Sequence, residues 1–451
     1  MDPSGLSGAD QASGEPSETE TEVNIGMEPD YYKAAAEGKI EVFENIPEPL
    51  NQLLTPNRNT ILHIHLTSLI EESESSTAFV KEILTKCPIL LWQANVKGET
   101  PLHIAARYGH VAIVDVLIGR AKALRQDLES GFDKTIKEML EMTNNEKDTA
   151  LHEAVRGNHL EVVKRLTKEG PDFSYSRNDF DETPLYIAVE RNYKDVALHI
   201  LDKCKSPAHD GPLGRTTLHA AVIWDDDVDI MIQKILKRIA QQEQSALIRK
   251  VDEQRWTPLH CAAYFNRYSS AEVLLKVNRS IAYMKDAKGM TALHIAAHQG
   301  HLGVMESILE GCPDCCELVD ERGWNAFHFV VNSSSSIWAN YGVAHILEKS
   351  SLSNLLNEKD ASGNTPLHHH SKSLHYIADV MYHDRVDKMA FNKQNLSAYD
   401  VALTSEELSD IKFMQIRSDF IGKCCCAGFR KPLGDDILPK RKDYESFDAE
   451  Y

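Results

Sequence analysis

The chain has 451 residues, 26% charged and 42% hydrophobic, which is the composition of a folded protein rather than of a low-complexity chain. Lys and Arg number 49 against 68 Asp and Glu, and the formal charge of −19 argues against a sequence-independent grip on phosphate backbones, which takes basic stripes. No apolar run approaches the roughly 18–20 residues that span a bilayer, no signal peptide opens the sequence, and the odd number of Cys, nine, reads as free thiols in a reducing, cytoplasmic compartment.

Residues 1–29 carry seven acids and no base among Ser, Gly and Pro, and read as a disordered acidic segment. From residue 30 to 404 a short phrase recurs. It runs Asn-Thr-Ile-Leu-His (59–63), Glu-Thr-Pro-Leu-His (99–103), Asp-Thr-Ala-Leu-His (148–152), Glu-Thr-Pro-Leu-Tyr (182–186) and Arg-Thr-Thr-Leu-His (215–219). It continues as Trp-Thr-Pro-Leu-His (256–260), Met-Thr-Ala-Leu-His (290–294), Trp-Asn-Ala-Phe-His (324–328) and Asn-Thr-Pro-Leu-His (364–368), with a worn copy at 396–400. The Thr position steps by 40, 49, 34, 33, 41, 34, 34, 40 and 32 residues, a period near 33 with insertions. That period and phrase are the ankyrin signature, so the fold class predicted is an all-α ankyrin-repeat solenoid of nine to ten helix-turn-helix repeats.

The phrase has a physical reading. Thr caps a helix, Pro at the first helical position loses no needed bond, and Leu and Ala at i, i+3 and i+4 make one apolar face. Gly109, Asn158, Asn192, Asn266 and Gly300 then suit the left-handed turn that ends the helix. Tyr31 to Ile46 looks like a repeat without its opening phrase, an N-terminal cap. The 49-residue step places a helix-like insertion at about 120–143, a weak joint by length alone. Glu71 to Ser76 and Ser333 to Ser336 read as solvated loops within repeats, and 405–451 as a tail that mixes charges with a Cys cluster.

Several stretches carry a closer resemblance: Tyr32-Lys-Ala-Ala-Ala-Glu-Gly, Leu54-Thr-Pro-Asn, Gly98-Glu-Thr-Pro-Leu-His-Ile-Ala-Ala-Arg, Ala150-Leu-His-Glu-Ala-Val-Arg, Ser206-Pro-Ala and Cys312-Pro-Asp-Cys. Over about 31–403 the chain resembles plant ankyrin-repeat proteins of the accelerated-cell-death type. The resemblance implies defence, salicylic acid and cell-death signalling at membranes, through a C-terminal PGG domain of about four spanning helices. After 405 nothing in this chain can span.

One His per repeat (His63, His103, His152, His219, His260, His294, His328, His368) is spaced for a bond to the adjoining turn rather than for one metal ion. Cys312-Pro-Asp-Cys315-Cys316 lacks a second ligand pair and reads as small buried thiols. No phosphate loop, nucleophile elbow or zinc-protease motif occurs, so no catalytic, cofactor or metal residues are assigned and the chain reads as a non-enzyme.

In repeat proteins the informative slots are those where residue type varies. The slot before Thr holds Glu99, Asp148 and Glu182 early, and Trp256, Met290 and Trp324 later; the slots after the small-residue pair hold Trp224, Tyr264 and Phe265. By resemblance these slots line the concave face. The large apolar side chains are expected to form one patch for a protein partner, and the three acids to steer a basic segment onto it. The other reading is packing against neighbouring turns. Cys424, Cys425 and Cys426, beside Phe420, Ile421 and basic residues, suit S-acylation and peripheral contact with the plasma membrane or endoplasmic reticulum, or are an exposed thiol cluster. The function expected is a protein-interaction scaffold in defence signalling; the alternative is a truncated form of a membrane-embedded ankyrin/PGG protein with a channel-like role, assembling with full-length relatives.

Overall fold

The computed structural model describes residues 26–44, 46–126, 136–170, 176–205, 207–224, 228–239, 241–333, 343–344, 355–373, 375–405 and 408–424. Ten short inner helices follow the ten phrases: Ile61–Ser68, Pro101–Tyr108, Ala150–Arg156, Pro184–Glu190, Thr217–Ile223, Pro258–Tyr264, Ala292–Gln299, Ala326–Val331, Pro366–Lys372 and Ala398–Thr404. None exceeds eight residues, too short to persist alone in water, so tertiary packing must hold them. Outer helices such as Glu74–Lys86, Val111–Gln126, Leu160–Glu169, Lys194–Lys203, Tyr268–Val277 and Leu302–Gly311 form a second layer. Among the described residues there is no strand beyond isolated bridges at 143/149, 210/216 and 391/397.

The repeated phrase explains the stacking. Leu102, Ala105 and Ala106, like Leu293, Ala296 and Ala297, are at most 1% exposed and join one continuous apolar core along the array. The helix-ending residues take the left-handed conformation as expected: φ is 76° at Gly109, 56° at Asn158 and Asn192, 57° at Asn266 and 77° at Gly300. The Thr-x-x-His element closes a capping box in which His replaces the usual Glu. At the sixth repeat the Thr257 backbone N–H donates to His260 Nδ1 at 3.1 Å, and the Thr257 hydroxyl also bonds that nitrogen at 2.8 Å. With Nδ1 accepting, Nε2 carries the proton, and it donates to the carbonyl of Met290 in the next repeat at 3.2 Å.

Between repeats the chain makes a hairpin finger. Its base is an Asp or Asn five residues before the capping Thr: Asp286 Oδ1 accepts from the backbone N–H groups of Lys288 and Met290, both at 2.8 Å. Fingers are linked side by side through single backbone bonds, such as Ala287 N–H to Gln254 O at 3.0 Å and Ala361 N–H to Arg322 O at 2.8 Å.

Three expectations are amended. The insertion near 120–143 lengthens the outer layer (Val111–Gln126, then Ile136–Glu141 with Met139 and Leu140 buried) while its junction stays bonded. There Asn145 N–H donates to Lys97 O at 2.9 Å and His103 Nε2 to Asp148 O at 3.0 Å, so the inner layer keeps its bonds between the second and third repeats. The Ser-rich stretch of the first repeat is in part helical, because Ser73 caps Glu74–Lys86. The array also continues past 405: helix Asp410–Cys424 buries Phe413, Ile416 and Phe420, spaced i, i+3, i+7 on one face, against the last repeat. Residues 1–25, holding most of the expected acidic segment, lie outside the described residues, as do Cys425, Cys426 and the side chain of Cys424.

Candidate interaction face

The variable slots lie on the finger side of the inner helices, and the face they make has two halves of different chemistry. The early half is an ion-pair ladder. The Arg107 guanidinium bridges Glu99 at 2.5 Å and Glu153 of the next repeat at 2.7 Å. Arg156 repeats the pattern, with Asp148 at 2.8 Å, Glu153 at 3.7 Å and Glu182 at 3.4 Å. Asn95 donates to Glu99 at 2.8 Å, and Asn178 to Asp148 at 2.8 Å. Burial works against ionisation of Glu99, but hydrogen bonds from Asn95 and Arg107 outweigh it and hold the carboxyl below its ordinary range. Asp148 behaves alike: burial opposes its charge, and Arg156 and Asn178 restore it.

This placement alters the steering role expected of the acids. Glu99 is 4% exposed and Asp148 fully buried, and their oxygens are engaged within the ladder. Only Glu182 of the three keeps appreciable exposure, its side chain 20% open. The sequence could not show this because the pairing crosses repeats: Arg107 stands seven residues after its own Thr and meets Glu153, four after the next.

The late half is aromatic, and it falls into clusters rather than one sheet of rings. Trp256 lies 5.4 Å from Tyr264, which meets Phe265 edge-on at 5.1 Å. Tyr264 is 44% exposed and Phe265 37%. Trp324 forms the centre of a second cluster, with Phe329 at 5.4 Å, His369 at 4.4 Å and the Arg322 guanidinium 3.9 Å over its ring. Trp224 is exposed and donates its indole N–H to the Glu190 carbonyl at 3.0 Å. Met290 is half-buried against the core.

Trp256 and Trp324 also do structural work. Each indole N–H reaches the finger acid of the next repeat, Asp286 and Asp360 respectively, at 3.2 Å. Both rings are half-buried. Sequence reasoning gave no role on this face to Arg322, Phe329, His369 or these two acids; the signal for the acids is present, since Asp or Asn recurs five residues before the phrase Thr at 95, 144, 178, 252, 286 and 360.

The repeat histidines sit inside the array. His152, His219, His294 and His328 are each held down to about 4 by burial, and His63, His103, His260 and His368 are lowered for the same reason. Cys312, Cys315 and Cys316 are buried free thiols, and burial pushes Cys316 up to about 11. Among the described residues no group of three His, Cys, Asp or Glu could hold a metal ion, and no helix is long and apolar enough to cross a membrane.

Comparison with known proteins agrees with this architecture. The model of ankyrin repeats in three copies matches residues 124–210, and the single ankyrin-repeat model matches 97–128, 254–283 and 288–318. The chain is 24% identical over 283 residues to Protein ACCELERATED CELL DEATH 6 of Arabidopsis thaliana, covering 61% of this chain and 41% of that one. It is 24% identical over 311 residues to the transient receptor potential cation channel subfamily A member 1 of Drosophila melanogaster, covering 63% and 23%. The chain thus spans about two fifths of the first relative's length and under a quarter of the second's. The solved ankyrin-repeat domain of Bcl-3 aligns at 26% identity and a TM-score of 0.40 over 51% of this chain and 93% of that one. The array is an ankyrin-repeat solenoid, the fold of a protein-interaction scaffold.

Proposed function

We propose that this chain is a non-enzymatic scaffold that holds a protein partner on the face carrying Trp224, Trp256, Tyr264, Phe265, Met290 and Trp324, and that it acts in plant defence and cell-death signalling, including the salicylic acid response. The observation that carries the binding role is the Trp256–Tyr264–Phe265 cluster. Two large rings are more than a third exposed there, packed against each other and against Trp256. Rigid aromatic area of this kind supplies binding energy at small entropic cost, about 2 kcal/mol or more per ring when buried. The ladder beside it carries four carboxylates against two guanidinium groups, so the early half keeps a negative surplus that favours a partner with a basic segment. The signalling assignment rests on the family resemblance and on the likeness to the Arabidopsis protein. Acyl chains on Cys424, Cys425 and Cys426 would hold such a scaffold at a membrane surface, beside membrane-embedded relatives.

The test separates binding from packing. Tyr264→Ser with Phe265→Ser removes exposed rings and leaves the Trp256–Asp286 bond in place. The expected result is at least about a tenfold loss of partner capture, near 1.4 kcal/mol, with the thermal midpoint almost unchanged. Unchanged capture would refute the patch.

A further inference from the structure

The junctions between repeats are not equivalent. Eight of the nine share three cross-repeat or finger bonds. The first is the repeat His Nε2 to a carbonyl of the next repeat (acceptors Glu99, Asp148, Glu182, Trp256, Met290, Leu318, Asn364 and Leu396). The second is a finger-to-finger backbone bond, and the third is the Asp or Asn at the base of the incoming finger. The junction of the fourth and fifth repeats has none of the three, and each loss is written in the sequence. The His is Tyr186, whose hydroxyl meets Glu190 of its own repeat at 3.4 Å and the Arg215 side chain of the next, so a contact between side chains replaces the bond to a backbone carbonyl. The finger base is Gly211, which has no side chain to accept a bond. The residue that should donate to the Phe180 carbonyl is Pro212, which has no N–H.

These three changes are coupled sterically. A Cβ on Gly211 would lie 2.2 Å from the Tyr186 ring, so the ring occupies the space of the missing Asp or Asn. The finger that results is strained: Leu213 takes φ of 57°, a left-handed conformation unfavourable to a side chain, and Gly214 follows at 74°. The two repeats are joined elsewhere, near the helices. The Thr183 hydroxyl donates to the Asp210 carbonyl at 2.9 Å, and the Trp224 indole to the Glu190 carbonyl at 3.0 Å. On the outer side Arg238 donates to the Cys204 carbonyl at 2.5 Å.

The geometry points to a hinge: the array moves as two stiff segments about the helix layer between the fourth and fifth repeats, with their fingers free to part and close. The joint divides the face where its chemistry changes, after Glu182 of the ion-pair ladder and before Trp224 of the aromatic half. On the reading of that face as a partner surface, which this step rests on, bending there changes the angle at which the acidic and aromatic halves meet one bound segment.

The hinge is tested without a partner, so its failure is separate from failure of the binding role. Glu146, Gln254 and Ser362 occupy the same exposed finger slot three repeats apart. Spin labels are placed on noncanonical residues at 146 and 254, or at 254 and 362, and pulsed electron–electron resonance measures the spread of each distance. The expected result is a broader distribution for 146/254, which spans the altered junction, than for 254/362. Tyr186→His with Gly211→Asn and Pro212→Ala restores the three bonds and should narrow the first distribution to the width of the second. Equal widths in the native chain, or a folded restored variant whose width does not fall, would overturn the hinge; if the variant does not fold, the native comparison alone decides.

Discussion

Mild acid should loosen this array well before its carboxylates protonate. In the folded chain burial holds His152, His219, His294 and His328 neutral, with pKa values near 4, and outweighs the bond from Nε2 to the next repeat's carbonyl, which favours the charged ring; Nδ1 accepts from its own N-cap. Unfolded, each titrates near 6.5. The folded value is depressed, so the stabilisation is complete above about pH 6.5 and is lost as pH falls from there through about 4, the unfolded chain binding the extra protons. Between pH 7.5 and 5.5 the loss is about 1.4 kcal/mol for each such His, on the order of 5 kcal/mol for the four together. His63, His103, His260 and His368 are shifted in the same direction and add to it. Glu99, Asp148 and Asp360 are held below their ordinary range and stay ionised through this window, so they do not contribute. The assay is urea unfolding by circular dichroism at both pH values, with NMR titration of the ring protons in the folded state. Midpoints should fall at pH 5.5 while the repeat His signals stay unshifted. Repeat His rings that titrate near 6.5 in the folded chain, or midpoints that do not move, would refute the argument.

Two further outcomes follow from local geometry. Arg255 holds the left-handed finger position, at φ 60°, that Gly98, Gly289 and Gly363 fill elsewhere, so Arg255→Gly should exceed Arg255→Ala in stability by about 1 kcal/mol, measured by chemical unfolding of the two variants. Lys412 is 3% exposed, with its ammonium among the carbonyls of His370 and Ser373 and the Ser373 hydroxyl, so Lys412→Met takes the ammonium from the buried Ser373 carbonyl and should weaken docking of helix Asp410–Cys424 by about 1–3 kcal/mol, read as faster amide hydrogen exchange in that helix.

What the sequence made legible was what is local. The Thr caps and the left-handed Asn and Gly depend on residues within one repeat, the period and the His directed at the adjoining turn on a phrase that recurs copy by copy, and the structure has them all. What it concealed depends on two repeats at once. Glu99 and Asp148 looked like free acids because nothing in their own repeats announces that guanidinium groups will cover them. Trp256 and Trp324 looked like surface rings because their anchors, Asp286 and Asp360, lie 30 and 36 residues away. The docked helix after 410 was obscured by its charges, which outnumber the three apolar residues that seat it.

The uneven dependence of one repeat on the next bears on how such a chain can change in length. Where Trp256 meets Asp286, removing the seventh repeat as a unit would bring Asp320, the same finger acid, to the same place. The late repeats can therefore be lost or duplicated with their cross-links preserved. Arg107 is different: its partner Glu153 has Ile187 as the counterpart in the fourth repeat, fully buried. Deleting the third repeat would set Arg107 against a branched hydrocarbon in place of its second carboxylate, leaving it only the pair with Glu99. The ladder thus ties the second, third and fourth repeats to their order, and variation in repeat number in descendants of this chain should concentrate in the later ones.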